Sequence, residues 1–168
     1  MARYLLVAHQ TAQSQELLDA AHAIHQGDPE AEFVLLVPAT PVGSLLVWER
    51  GETAEVARRQ ADEARRRLEE RGLRVVDARV GDADPVLAIG DEFLDGRRYA
   101  AIVISTLPAG MSRWLKLDVI SRARRSYPRQ KVIHVMSQPP QGASRARETP
   151  SPLPTPRSWL RGGPGRGG

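Results

Sequence analysis

The chain has 168 residues, 41% hydrophobic and 26% charged, the balance of one soluble α/β domain with a short extension. It contains no cysteine, which excludes disulfides, a thiol nucleophile and cysteine-held metal. No apolar run approaches the ~18 residues of a membrane span, and the first, at residues 4–8, is too short for a secretory leader. The expected location is the cytoplasm.

The formal net charge is +4. Five Arg and one Glu lie in residues 138–168, so the whole excess sits there and residues 1–137 are neutral. A domain that binds nucleic acid through its whole surface is therefore not expected. Residues 138–168 also hold seven of the 13 Pro and six of the 14 Gly. Such a segment buries too little apolar surface to offset its ordering entropy, so it reads as a disordered tail on a 1–137 domain. Its Arg161-Gly162-Gly163 and Arg166-Gly167-Gly168 repeats resemble RNA-binding RGG segments. The competing reading is a solubilising extension, spaced by Pro150, Pro152, Pro154 and Pro156.

The domain alternates short apolar runs with helical ones. Residues 3–9 (RYLLVAH) predict a strand buried on both faces, and 13–26 a helix with Leu17, Ala21 and Ile24 on one side. Residues 32–37 (EFVLLV) form a second strand, stopped by Pro38. Leu45, Leu46, Val47 and Trp48 follow in a long connection, read either as a lid or as a short helix on the core. A helix over 52–71 carries Ala57, Ala61, Ala64 and Leu68 as its apolar stripe. Its outer face pairs Glu55 with Arg59, Asp62 with Arg66 and Glu63 with Arg67 at i,i+4. Residues 74–80 are a third strand, and Asp84-Pro85 opens a helix to about Leu94. A fourth strand spans 100–105, a fourth helix 114–126 and a fifth strand 131–136.

This alternation predicts an α/β fold: a doubly wound, open, parallel five-stranded sheet of order 3-2-1-4-5 with helices on both faces. In such a sheet the ligand crevice lies beyond the strand ends where the order reverses, here between strands one and four. The candidate ligand-binding residues there are His9, Gln10 and Thr11 after the first strand, and Ser105, Thr106 and Gly110 at the fourth. No P-loop and no G-x-G-x-x-G is present, which excludes P-loop and ordinary dinucleotide enzymes.

The first strand and turn (LLVAHQTAQSQELLDAA), together with VGDADPVLAIGDEF, YAAIVISTLPAGMSRWLKLDVISRA and KVIHV, resembles the universal stress protein family. The likeness covers nearly all of residues 1–137 and points to a divergent branch. It implies a universal-stress-like, adenine nucleotide α-hydrolase-like fold and a homodimer paired through the last strand. It also implies a G-x-x-G-x9-G-[ST] loop after strand four that wraps ATP phosphates. This chain departs from that loop. An adenine-side Asp of the family falls on Gln10, the first two glycines on Ser105 and Pro108, and the final pair on Leu117-Asp118 or Asp118-Val119. Pro108 has no N–H to offer, and Asp118 would face phosphate with like charge. The expected cofactor set is therefore empty, with no ATP bound.

Single features carry two readings each. Ser112 and Arg113 either hold an anion at a helix start or form an N-cap and an ion pair. His9 is a proton shuttle or a hydrogen-bonded strand-end residue. Asp19, His22 and His25 share a helix face, but without further ligands no metal site is expected. No G-x-S-x-G elbow is present, and no catalytic residue is assigned. Along the last strand Val132, His134 and Met136 face one way and Ile133 and Val135 the other, an unguarded edge that invites a second copy. Proline at Val135 is expected to break that pairing. The leading expectation is a non-enzymatic, dimeric regulatory or scaffolding protein. The alternative is a binder of a nucleotide or other small anionic ligand, and RNA association through the tail comes third.

Overall fold

The computed structural model describes residues 1–40, 50–94, 96–112, 114 and 118–138. Its elements, in chain order, are β1 Arg3–Val7, α1 Gln15–Gly27, β2 Glu32–Pro38, α2 Arg50–Glu70, β3 Arg74–Gly81, α3 Pro85–Leu94, β4 Ala101–Thr106, α4 Val119–Ser126 and β5 Lys131–Met136. The strands form one parallel sheet of order β3-β2-β1-β4-β5, as the sequence pattern predicts.

Alternation along β1 builds two cores. Leu6 and Ala8 face a layer with Leu17, Leu18 and Ala21 of α1 and the Ala57, Ala61, Ala64, Leu68 stripe of α2. Leu5 and Val7 face Val86, Ala88 and Ile89 of α3 and Val119 and Ala123 of α4. A period-two strand thus has both faces buried, and each helix contributes one apolar stripe. Gly81 lets α3 approach closely: a Cβ there would lie 2.7 Å from the Ala88 Cβ and 2.9 Å from Leu36 Cδ1. Asp84 caps α3 as expected, accepting the Val86 N–H at 2.8 Å, and Arg122 of α4 reaches the same carboxylate at 2.7 Å.

Several boundaries differ from the sequence reading. β1 stops at Val7, because the His9 carbonyl already accepts the Ala12 N–H in a turn. Pro38 closes β2 instead of following it, a place where its missing N–H does no harm. Asp118 has a left-handed backbone (φ 52), so no regular helix runs through it, and α4 begins at Val119. One of the expected i,i+4 pairs on α2, Glu63 with Arg67, is replaced through Gln13, which donates to Glu63 at 2.7 Å and accepts from Arg67 at its carbonyl at 2.7 Å. Arg65 and Glu69 form an ion pair at 2.8 Å on this helix. The connection at Leu45, Leu46, Val47 and Trp48 and the tail beyond Gln138 lie outside the described residues.

The two sheet edges are unlike. β3 carries a bulge, since Phe33 pairs with Val75 and Val34 with Asp77, leaving Val76 unmatched. Asp77 and Arg79 add an ion pair on the same strand. Bulge and charge both blunt an edge. β5 has unbroken register with β4 from Lys131 to Met136. The Ser137 N–H bonds the Thr106 carbonyl at 2.8 Å, which sets the alternation: Ile133 and Val135 turn their amides toward β4, while Val132, His134 and Met136 turn theirs outward. Proline at Val135 would therefore cut the β4 ladder. The expected edge test at that residue is corrected to the outward-facing positions.

Candidate functional site: the strand-tip crevice

β1 and β4 are neighbours in the sheet, while their connections leave toward opposite faces, so their carboxyl ends form the switch point. On one face a chain of hydroxyls crosses it. Ser14 caps α1 by accepting the Leu17 N–H at 3.2 Å and donates to Ser137 Oγ at 2.9 Å. Ser137 Oγ in turn pairs with Ser105 Oγ at 2.8 Å, and Thr11 Oγ1 donates to the Ser105 carbonyl at 3.2 Å. Ser105, Thr11 and Ser137 are all buried. The next residue, Gln138, donates its N–H to Glu16 at 3.2 Å. Three separate chain segments are thus tied together at one strand end.

On the other face the closing group is Trp114. Its indole packs in the same core as Val7, Leu36 and Ile104, and its Nε1–H donates to Thr40 Oγ1 at 3.3 Å. Thr40 follows β2, and its hydroxyl donates onward to the Ala83 carbonyl at 2.9 Å. Trp114 comes after β4 and Thr40 after β2, with β1 lying between those strands. The bond therefore spans the β1 tip. Neither residue was singled out for the site from sequence. A lone Trp beside a strand end was the available signal; Thr40 offered none.

His9 lies at this tip, 6% exposed, and its Nε2 has no hydrogen-bond partner among the described residues. Burial pushes its pKa down to about 4, so the ring is neutral at ordinary pH. Gln10 is exposed. Thr106 Oγ1 lies 2.8 Å from His134 Nε2, linking β4 to β5. Gly110 is exposed at φ 89, in a turn where the N–H groups of Met111 and Ser112 both go to the Pro108 carbonyl at 3.1 Å. Those donors are already occupied. Ser112 is buried, and Arg113 lies outside the described residues. Asp118 stands at the N-cap of α4. Asp118 has a side chain 58% exposed, 3.6 Å from Arg125. A hydrogen bond from Ser121, before the Arg125 charge, holds its carboxyl below the usual range.

No group of three or more His, Asp or Glu placed to hold a metal occurs among the described residues. Asp19 accepts from Gln15 at 2.7 Å. No helix among them is long and apolar enough to cross a membrane. Chemically, the serines hydrogen-bond one another and none has the histidine as a base.

Among solved structures, the chain is similar to a universal stress protein family member from Burkholderia pseudomallei. The TM-score is 0.54 at 19% identity, covering 81% of this chain and 96% of that one. A universal stress protein from Archaeoglobus fulgidus gives 0.54 at 16% identity, covering 80% and 93%. The fold is that of the universal stress proteins. No family model matches the sequence, and no curated protein matches it. Within the universal-stress fold, Ser105 and Pro108, at the first two glycine positions of the implied phosphate loop, take up a buried hydroxyl pair and a turn-closing carbonyl.

Proposed function

We propose that this chain is a non-enzymatic, universal-stress-like regulatory or scaffolding protein whose nucleotide crevice is closed from within and which acts as a homodimer through β5. The observation that carries the first part is the Trp114–Thr40 bond across the β1 tip, with the Ser14–Ser137–Ser105 chain on the opposite face. An ATP phosphate needs free N–H donors, and those of Met111 and Ser112 are used inside their own turn. Calorimetry of the full chain with Mg-ATP is expected to give no binding in the micromolar range. A micromolar dissociation constant overturns the reading.

A second reading rests on the unpaired, buried His9 Nε2. A small ligand that displaces Trp114 would meet a neutral ring nitrogen able to donate or accept. Mass spectrometry of gently purified protein separates the two, since a co-purifying anion favours this reading.

The dimer follows from the contrast of edges. β3 is defended by its bulge and its charges, whereas β5 presents the outward amides of Val132, His134 and Met136 without either. Two copies related by a two-fold axis can join these edges antiparallel, an isologous contact that closes on itself. Light scattering at tens of micromolar is expected to give the mass of a dimer. Met136→Pro removes an outward backbone N–H at a residue that is 56% exposed, and should give a monomer with its fold intact. A wild type already monomeric at that concentration rules the dimer out.

A further inference from the structure

If β5 pairs with itself, the register is not arbitrary. In an antiparallel pair, residues directly opposite each other have the same orientation, so outward amides oppose outward amides. The hydrogen-bonded run with β4 extends from Lys131 through Ser137, and its middle residue is His134. An axis through His134 uses the whole run. It sets Ile133 opposite the partner's Val135 and Val132 opposite the partner's Met136, matching apolar with apolar. An axis through Ile133 would instead set Lys131 against the partner's Val135 and Val132 against the partner's His134. Cross-strand matching favours the first.

We propose that in the dimer His134 lies directly against the partner's His134 across the two-fold axis, and that acidification separates the two copies by charging this pair. The inference rests on the dimer reading above. Directly opposed residues in such a pair have Cα atoms about 5.5 Å apart and side chains on one face of the sheet. On this face, shared with Val132, the groups around the ring are known. Thr106 of β4 holds Nε2 at 2.8 Å, and Arg124 of α4 supplies a positive charge. Across the sheet, on the other face, Glu16 of α1 accepts the Gln138 N–H. Burial first, then Arg124, already holds the His134 pKa below its ordinary value.

The sign follows from linkage. A second imidazole at the axis disfavours the charged form further, so His134 has a lower pKa in the dimer than in the monomer. Protons then bind the monomer preferentially. Association is intact above the pKa of the free monomer and weakens as pH falls through it. A divalent cation at the axis is the poorer occupant, since it would sit near Arg124 with only two imidazoles to hold it.

The test measures the dimer dissociation constant by sedimentation from about pH 8 down to about pH 4.5, an interval carried below the ordinary histidine range because His134 is already depressed. The wild type should weaken about tenfold as the two rings take up protons. His134→Gln keeps an amide to meet Thr106 and should dimerise without pH dependence. In the wild type, the His134 ring followed by NMR should titrate lower as protein concentration rises, which needs no variant. A dimer whose constant does not change with pH, or a H134Q protein that weakens equally, overturns the histidine pair and leaves the dimer standing. A protein monomeric throughout the interval overturns both.

Discussion

Trp114→Ala is expected to lower unfolding stability by about 3–5 kcal/mol, the range for deleting a buried large aromatic. The indole is 6% exposed and lies in the core formed by Leu5, Val7, Ile102 and Ile104 on one side of the sheet, so truncation leaves a cavity as well as losing apolar contact. Trp114→Phe separates the contributions. It keeps an aromatic ring in the core but removes the donor to Thr40, whose hydroxyl still has the Ala83 carbonyl as a partner, together with two buried ring carbons. That loss should be about 1–3 kcal/mol, the hydrogen bond plus a small cavity. Chemical denaturation of the two variants beside the wild type measures both. If the Ala variant costs under about 1 kcal/mol, the indole is not a packed part of this core and the closed-crevice reading fails with it.

The fold was legible because the signal for a two-sided strand is local. FVLLV and AIVI carry uninterrupted apolar side chains, and strands β2 and β4 are buried along their length. Lys131–Met136 and the Asp84-Pro85 start of α3 were read to the residue for the same reason: a short apolar alternation and a cap with proline are complete within a few positions. The error in the fourth helix has a definite cause. Apolar spacing continues from Trp114 through Val119 and Ala123, and spacing says nothing of the left-handed backbone at Asp118.

The crevice was legible as a place and illegible as a structure. Topology alone put His9, Thr11, Ser105 and Thr106 together, and the sheet order bears that out. What closes the crevice are contacts between residues far apart in sequence. Trp114 meets Thr40 across 74 positions and Ser14 meets Ser137 across 123. Serine and threonine are among the commonest surface residues, and no spacing marks the few that will be buried against each other. Ser105 and Pro108 were informative only because a resemblance said which residues should have stood there.

Glu92 shows the same limit from the side of charge, and it carries the second large prediction. An acid on a helix reads as solvated, yet Glu92 of α3 is 4% exposed. It accepts the Tyr99 hydroxyl at 2.5 Å, Arg79 Nη1 at 2.9 and 3.1 Å, and Arg97 Nη1 at 3.4 Å. The carboxylate thus joins β3, α3 and the approach to β4. Burial, then the bond to Glu92, pushes the Tyr99 phenol well above its ordinary range, so the phenol stays a donor. Removing one partner of a buried pair costs more than the pair contributes, because the other charge remains without its counterion. Here Arg79 is 28% exposed and keeps Asp77, so solvent and that second acid recover part of the loss. Glu92→Ala should therefore cost about 2–3 kcal/mol, below the range for a fully buried pair. Glu92→Gln keeps the shape and an acceptor for Tyr99, and should cost about half as much. Urea unfolding of the two variants decides it. Equal and small losses would mean that the carboxylate charge adds nothing to the join between α3 and the sheet.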